Sequence, residues 1–162
     1  MEPTIISLYA FNDFAKKNNS NLHIVGLVSS GNVHSSNTHL YALLEFCKKQ
    51  KFTKNVFIHA VLDGRDTLYN SGREFISELE QKMSELNVGT IASLSGRYFA
   101  MDRDNRWDRC EKAYQAIAEG KAQRYNESAV TAIEESYAQK NYDEEFIPTV
   151  ITSRGKPIAT VS

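Results

Sequence analysis

Three apolar runs alternate along this chain with helical patterns, and this alternation constrains the fold more than any other feature. The apolar runs are Leu22–Val28, Asn55–Leu62 and Val88–Leu94. The helices predicted to follow them are Thr38–Gln50, Ser71–Leu86 and Arg106–Gly120. Runs that are apolar at nearly every position are typical of strands covered on both faces. Strand–helix alternation implies right-handed crossovers. The sequence therefore predicts an α/β fold with three layers, α/β/α, around a mostly parallel central sheet.

Further elements are predicted near both ends of the chain. Phe11–Asn18 has the pattern of a short helix, and Ser128 is placed to cap a helix that ends at Ala138. Two β-like runs, Pro148–Thr152 and Pro157–Val161, predict a C-terminal β-hairpin.

Length, charge and cysteine content exclude several classes of protein. The 162 residues suffice for one compact domain and are too few for two ordinary ones, so residues 1–162 are predicted to form a single domain. A formal net charge of -1 argues against a nucleic-acid partner, although Tyr98 and Phe99 beside arginines leave base stacking as an alternative. No apolar stretch approaches about 18 residues, so no contact with a membrane is expected. Cys47 and Cys110 lack zinc-ligand spacing and predict free thiols in a reducing cytoplasm.

Polar loops follow the three predicted strands, and charged residues cluster in the second and third of them. Ser29–Ser35 follows the first strand, Asp63–Asp66 the second, and Gly96–Arg103 the third. Ligands of open α/β sheets bind in the crevice outside the carboxyl ends of the strands. Arginine binds carboxylate or phosphate through bidentate, charge-assisted hydrogen bonds. The loops therefore predict a site for a small anion that carries phosphate or carboxylate.

The four histidines are expected to have different roles because they lie at different positions in this pattern. His23 and His59 lie within predicted strands and are expected to be hydrogen-bonded core residues, whereas His39 is expected on an exposed helical turn. His34 lies on a loop at the carboxyl edge of the sheet, so it is the candidate for the site.

The second loop carries two candidates and one residue with a structural explanation. Arg65 and Asp66 are expected to project over the sheet edge, where Asp66 can accept a proton from a substrate hydroxyl. Asp63 stands nearest the strand, so an Arg–Asp salt bridge within the loop that stiffens the turn is expected for it.

The third loop is the richest in charge. Arg97 and Arg103 converge on one anion if the segment between them folds back. For Arg106 and Arg109, which lie on the helix that follows, the alternative is that they only form part of a solvated helix face. A wholly structural role, in which Trp107 and Tyr98 pack on arginine faces, is the alternative for this arginine-aromatic loop.

Several segments together resemble cofactor-independent phosphoglycerate mutase. Their order and spacing agree with that family from about Leu22 to the end of the chain. The segments are Leu22–Ser29, Val33–Ser35, His59–Thr67, Ser95–Asp104, Arg106–Arg109 and Pro148–Ile151.

The resemblance implies a function and a division of labour. The family interconverts 3-phosphoglycerate and 2-phosphoglycerate in glycolysis through a phosphoserine. Its alkaline-phosphatase-type domain holds two manganese ions and the nucleophilic serine, and an inserted phosphotransferase domain binds the glycerate portion of the substrate. The present chain resembles the inserted domain alone, so the metal-binding domain of the same enzyme is its expected partner. No metal site or cofactor is expected in this chain, and the chain alone is predicted to be inactive.

The resemblance also assigns roles to the candidates. His34, Arg65, Asp66, Arg97 and Arg103 match the substrate-contacting positions of the family. It implies that Arg97 and Arg103 bind the carboxylate, that Arg65 and Asp66 bind the glycerate oxygens with His34 nearby, and that Asp66 handles the hydroxyl proton.

Two features qualify this comparison. The first loop has Ser30-Gly31-Asn32 where the family usually has Asp-Gly-Gly, and Ser36 replaces a frequent histidine. The chain stops directly after the strand-like run Ile158–Val161, which favours part of a larger enzyme. The alternative is a stand-alone binding module for a small phosphorylated or carboxylated metabolite.

Overall fold

The computed structural model describes residues 17, 18 and 20–161. Its strands are β1 (Leu22–Leu27), β2 (Val56–Leu62), β3 (Thr90–Gly96), β4 (Arg124–Asn126), β5 (Thr149–Ser153) and β6 (Lys156–Pro157). Its helices are α1 (Asn37–Lys49), α2 (Gly72–Leu86), α3 (Arg97–Ala100), α4 (Trp107–Tyr114) and α5 (Ala129–Ala138). A π-helical segment, Gln115–Glu119, continues α4.

Within the described residues, the strands form a sheet in the order β1–β2–β3–β5–β4, and β6 pairs with β5. β1, β2 and β3 are parallel, with Ile24 opposite Ile58 and Ile58 opposite Ile91. β5 runs antiparallel to β3 and parallel to β4. The mostly parallel α/β architecture predicted from the sequence is therefore confirmed.

Helices cover both faces of this sheet. On one face, α1, α2 and α5 bury Leu44, Ile76 and Ile133 against strand residues such as Ile58 and Leu94. Burying a side chain of this size contributes roughly 1.5–3 kcal/mol, so this face forms the main core. On the other side, α4 and the π-helical segment bury small side chains near β3 and β5, namely Ala113, Ala116 and Ala118. The three predicted layers are present.

The hairpin and the predicted cap are also present. β5 and β6 are antiparallel, and Arg154 and Gly155 turn the chain with φ of 52° and 73°. The second strand is shorter than predicted, because its ladder ends at Pro157 rather than Val161. The Ser128 hydroxyl accepts a hydrogen bond from the Thr131 N–H at 3.2 Å, as expected of an N-cap.

Some elements differ from the sequence predictions. The short strand β4 and the single-turn helix α3 were not predicted, because three or four residues are too few to show a period. The predicted helix Phe11–Asn18 lies outside the described residues except for its last two positions. Cys47 is buried, Cys110 is half-buried, and no disulfide joins them. In the described part of the chain, no helix is long and apolar enough to cross a bilayer.

Candidate functional site

The loops after β1, β2 and β3 enclose a polar cavity of about 200 Å³ at the carboxyl edge of the sheet. Parallel strands place these loops together, because all three strands end at the same edge. The cavity is lined by His34, Arg65, Arg97, Tyr98, Met101, Asp102, Arg103, Asp104, Arg109 and Glu144. Four of the five sequence candidates are among these residues, and the fifth, Asp66, is bonded to Arg97.

A larger cavity of about 620 Å³ lies at the opposite edge, where β2 and β3 begin. Its charged lining consists of Lys54, Glu80 and Glu127. These groups do not form a concentrated positive site, whereas four arginines border the smaller cavity. The smaller cavity is therefore the candidate functional site.

Asp63 connects all three loops beneath this site. Its side chain is 1% exposed. One carboxylate oxygen accepts a hydrogen bond from the Ser29 hydroxyl at 2.6 Å. The other oxygen accepts three hydrogen bonds, from Arg97 Nη1 at 2.6 Å and from the backbone N–H groups of Arg65 and Asp66. Burial alone would raise the pKa of Asp63, but these donors outweigh it and hold the pKa below its ordinary value. The expected salt bridge within the loop is wrong, because the arginine partner comes from the third loop.

Arg97 is buried between two carboxylates. It is 8% exposed, and its Nη1 donates to Asp63 at 2.6 Å and to Asp66 Oδ2 at 2.8 Å. Asp66 Oδ2 also lies 4.0 Å from His34 Nε2, too far for a hydrogen bond. The side chains of His34, Asp66 and Arg97 thus meet at one corner of the site.

Arg65 and Arg103 differ in how they are held. Arg65 Nε donates to Glu144 Oε1 at 2.5 Å, and its side chain is 49% exposed. Arg103 is exposed and has no ion pair among the residues that the structure describes. Arg97 and Arg103 border the same cavity, and α3 lies between them in the chain.

Arg109 belongs to the site, contrary to the alternative of a solvated face. It is 15% exposed, its Nη1 donates to Asp102 at 2.9 Å, and its guanidinium lies 4.0 Å from the centre of the Tyr98 ring. Burial opposes ionisation of Asp102, but backbone N–H donors and Arg109 lower the pKa of that carboxyl below its usual value. Arg106, by contrast, is exposed and pairs with Asp108. Of the two aromatic residues in the structural alternative, Tyr98 therefore packs on an arginine face, whereas Trp107 is 74% exposed.

The first loop accommodates its departures from the family pattern. Asn32 adopts φ of 57°, a left-handed conformation that asparagine tolerates better than most residues. Its amide donates to the Ser30 carbonyl oxygen at 3.1 Å. Gly31 packs so closely on the second loop that a Cβ atom would lie 2.8 Å from the Cβ of Asp66. The glycine is therefore required where the two loops touch.

Six of the ten lining residues were not among the sequence candidates, and they include Glu144 and Arg109. Glu144 reaches Arg65 from 79 positions away, and no local pattern indicates such a contact. Arg109 is two positions from an exposed tryptophan, and its burial depends on how α4 turns back over Tyr98. The described residues contain no cluster of three or more His, Cys, Asp or Glu side chains that could hold a metal ion.

The fold and this cavity define an α/β domain with an arginine-rich anion site at the carboxyl edge of its sheet. The chain belongs to the family described as the N-terminus of BPG-independent PGAM, whose family model matches residues 5–162.

Known relatives agree with this assignment. The chain is 52% identical over 149 residues to a 2,3-bisphosphoglycerate-independent phosphoglycerate mutase of Clostridium perfringens, covering 92% of this chain and 29% of the relative. It is 53% identical over 146 residues to that of Lachnoclostridium phytofermentans, covering 90% and 28%. A crystal structure of Leishmania mexicana phosphoglycerate mutase at low cobalt concentration superposes with a TM-score of 0.83 at 29% identity, covering 96% of this chain and 33% of that one. The chain thus spans less than a third of the length of these curated relatives.

Proposed function

We propose that this chain is the substrate-binding, phosphotransferase domain of a 2,3-bisphosphoglycerate-independent phosphoglycerate mutase. Its cavity would bind the glycerate portion of 3-phosphoglycerate and 2-phosphoglycerate. The observation that carries the proposal is the convergence of four arginines, with His34 and Asp66, at the carboxyl edge of the sheet. The relatives bear the name of this enzyme, and the family match covers nearly the whole chain.

The geometry supports distinct roles for the candidates. Arg103 is exposed and has no carboxylate partner in the described residues, so it is the most available cation for a substrate carboxylate. Arg97 borders the same cavity and is proposed as its second ligand. Arg65 would bind the glycerate oxygens. A hydroxyl placed beside both His34 Nε2 and Asp66 Oδ2, which lie 4.0 Å apart, reaches each at hydrogen-bond distance. Asp66 is then the group that handles the hydroxyl proton.

The metal chemistry of the family is assigned to the rest of the enzyme. The described residues do not fit a metal ion, so manganese is not proposed to bind this chain. The two manganese ions and the nucleophilic serine are proposed to reside in the metal-binding domain, which is the proposed partner of this one. A cytoplasmic location is proposed with it.

We expect the 162-residue chain alone to show no conversion of 3-phosphoglycerate to 2-phosphoglycerate, even with manganese added, because the activated serine is proposed to lie elsewhere. Phosphorus NMR of the two isomers over several hours measures this directly. Turnover well above the protein-free control would contradict the proposed division of labour.

We expect Arg103→Ala to weaken 3-phosphoglycerate binding about tenfold, the lower end of the effect of a lost charge-assisted contact. Chemical-shift titration at low ionic strength measures the affinity, and thermal unfolding measures stability. Arg106→Ala is the matched control, because it removes the same charge from an exposed position three residues away that does not border the cavity. Marked destabilisation by Arg103→Ala without loss of binding would favour a purely structural loop.

The affinity itself separates this proposal from the stand-alone module. With the metal-binding domain missing, several contacts to the substrate are missing too, so binding is expected to be salt-sensitive and roughly millimolar. Micromolar binding to this chain alone would mean that the three loops form a complete site, and it would favour the stand-alone module.

A further inference from the structure

Residues 143–146, here called the strap, cross the edge of the sheet beside the cavity, between α5 and β5. Three backbone hydrogen bonds hold them there. The Gly96 N–H donates to the Phe146 carbonyl oxygen at 2.8 Å, and the Tyr98 N–H donates to that of Glu144 at 3.0 Å. The Asp143 N–H donates to the Tyr69 carbonyl oxygen at 3.1 Å. The strap is thus bonded to the loops that follow β2 and β3.

Three glycines let the strap approach so closely. A Cβ atom on Gly64 would lie 2.8 Å from the Glu144 nitrogen, and one on Gly72 would lie 2.6 Å from Asp143 Oδ1. A Cβ atom on Gly96 would overlap the Glu144 carbonyl oxygen. The backbone on both sides of Glu144 therefore has little freedom to move.

Asp143 anchors the beginning of the strap. It is 1% exposed, accepts a hydrogen bond from the Gly72 N–H at 2.7 Å, and accepts another from the Tyr137 hydroxyl. Burial raises the pKa of Asp143 to about 6, although these donors oppose the change. The carboxyl group ties the strap to the first turn of α2 and to α5.

The fixed backbone of the strap determines the position of the Arg65 side chain through Glu144. The side chain of Glu144 leaves this fixed backbone and accepts a hydrogen bond from Arg65 Nε at 2.5 Å. Arg65 is half exposed and has no other side-chain hydrogen bond within the described chain, so Glu144 is the group that limits its rotamers. The two Nη groups of Arg65 remain as donors beside the cavity.

We propose that Glu144 is a positioning residue, which holds the Arg65 guanidinium by Nε so that its Nη groups meet the glycerate oxygens of the substrate. This inference rests on the proposed function, since it concerns the same cavity. It adds a residue outside the three strand-end loops to the determinants of substrate binding. Immobilising a long side chain before binding lowers the entropy that binding must offset.

A competing effect predicts the opposite sign. Glu144 carries a negative charge beside an anion site, so its removal would strengthen anion binding if repulsion dominated. Glutamine separates the two effects, because it removes the charge and keeps an oxygen that accepts from Nε. Positioning thus predicts a loss of affinity for Glu144→Ala and its recovery for Glu144→Gln.

The experiment measures 3-phosphoglycerate affinity by chemical-shift titration for the 162-residue chain and its variants. We expect Glu144→Ala to weaken binding about fivefold, consistent with freeing one long side chain, and Glu144→Gln to stay within about twofold of the parent or tighter. Glu145→Ala is the matched control, because Glu145 is the exposed neighbour on the same strap. In an Arg65→Ala background, Glu144→Ala should have no further effect on affinity.

A second readout needs no ligand. The Arg65 Nε–H resonance should be resolved and slow to exchange in the parent and in Glu144→Gln, and it should broaden in Glu144→Ala. Unchanged or tighter binding by Glu144→Ala, or an additive effect in the double variant, would overturn the inference while Arg103→Ala still tests the proposed function. If the parent chain binds no 3-phosphoglycerate, the proposed function fails and the positioning role fails with it, whatever the resonance shows.

Discussion

Replacing Asp63 by alanine is expected to lower the free energy of unfolding by about 3–5 kcal/mol, the cost of removing one partner from a buried ion pair. The substitution leaves the Ser29 hydroxyl and two backbone N–H groups without their acceptor, and it leaves Arg97, which is 8% exposed, with Asp66 as its remaining carboxylate. Urea denaturation at neutral pH measures the change.

Asparagine at the same position tests the cause. Every group that contacts the Asp63 side chain is a donor, so the amide NH₂ of Asp63→Asn must face a donor on one side. We expect this variant to lose about 1–3 kcal/mol, the cost of leaving a buried polar group unpaired. Asp104→Ala is the control, because Asp104 is 75% exposed although it also pairs with an arginine. Its denaturation midpoint should not move. Equal stability of Asp63→Ala and this control would contradict the role of Asp63 as the connection between the loops.

The position of the site could be predicted from the sequence because it follows from the topology. Once three parallel strands are recognised, their carboxyl ends must share one edge, so the loops that carry His34, Arg65 and Arg103 all start at that edge. The left-handed conformation of Asn32 agrees with its residue type, because asparagine tolerates positive φ better than most residues.

The ionic partners could not be predicted in the same way. Asp63 was expected to pair within its own loop, yet its arginine is Arg97, and the partner of Arg65 is Glu144, 79 positions away. Which carboxylate an arginine meets depends on a few ångströms of loop and strap packing. In this chain that packing depends on glycines such as Gly96, whose missing Cβ admits the strap. Sequence spacing identified the charges, and tertiary packing determined their pairs.

Lowering the pH from 7 to 4 is expected to remove about 3 kcal/mol of stability through His59, the second large effect that the structure predicts. His59 is 1% exposed, and its ring nitrogens lie 2.9 Å from His23 Nδ1 and 2.8 Å from Ser93 Oγ. Burial, and to a smaller extent the neighbouring His23, lowers the pKa of His59 from 6.5 to about 4. As the pH falls, His59 therefore binds a proton in the unfolded chain before it does so in the folded chain. The stability that the neutral His59 contributes is fully present above pH 6.5 and is lost as the pH falls to 4.

The contribution of His59 must be measured by comparing the parent with a His59 variant, because Asp143 changes the stability in the opposite direction over the same pH range. Its pKa is raised to about 6, so its own contribution to stability falls as the pH rises from 3.8 to 6. Urea denaturation at pH 7, 5.5 and 4 should show a smaller loss of stability for His59→Gln than for the parent, by about 3 kcal/mol over the range. His39→Gln is the matched control, because it removes an imidazole from an exposed position on α1. Parallel profiles for the parent and His59→Gln would show that the buried histidine does not titrate differently in the folded and unfolded states.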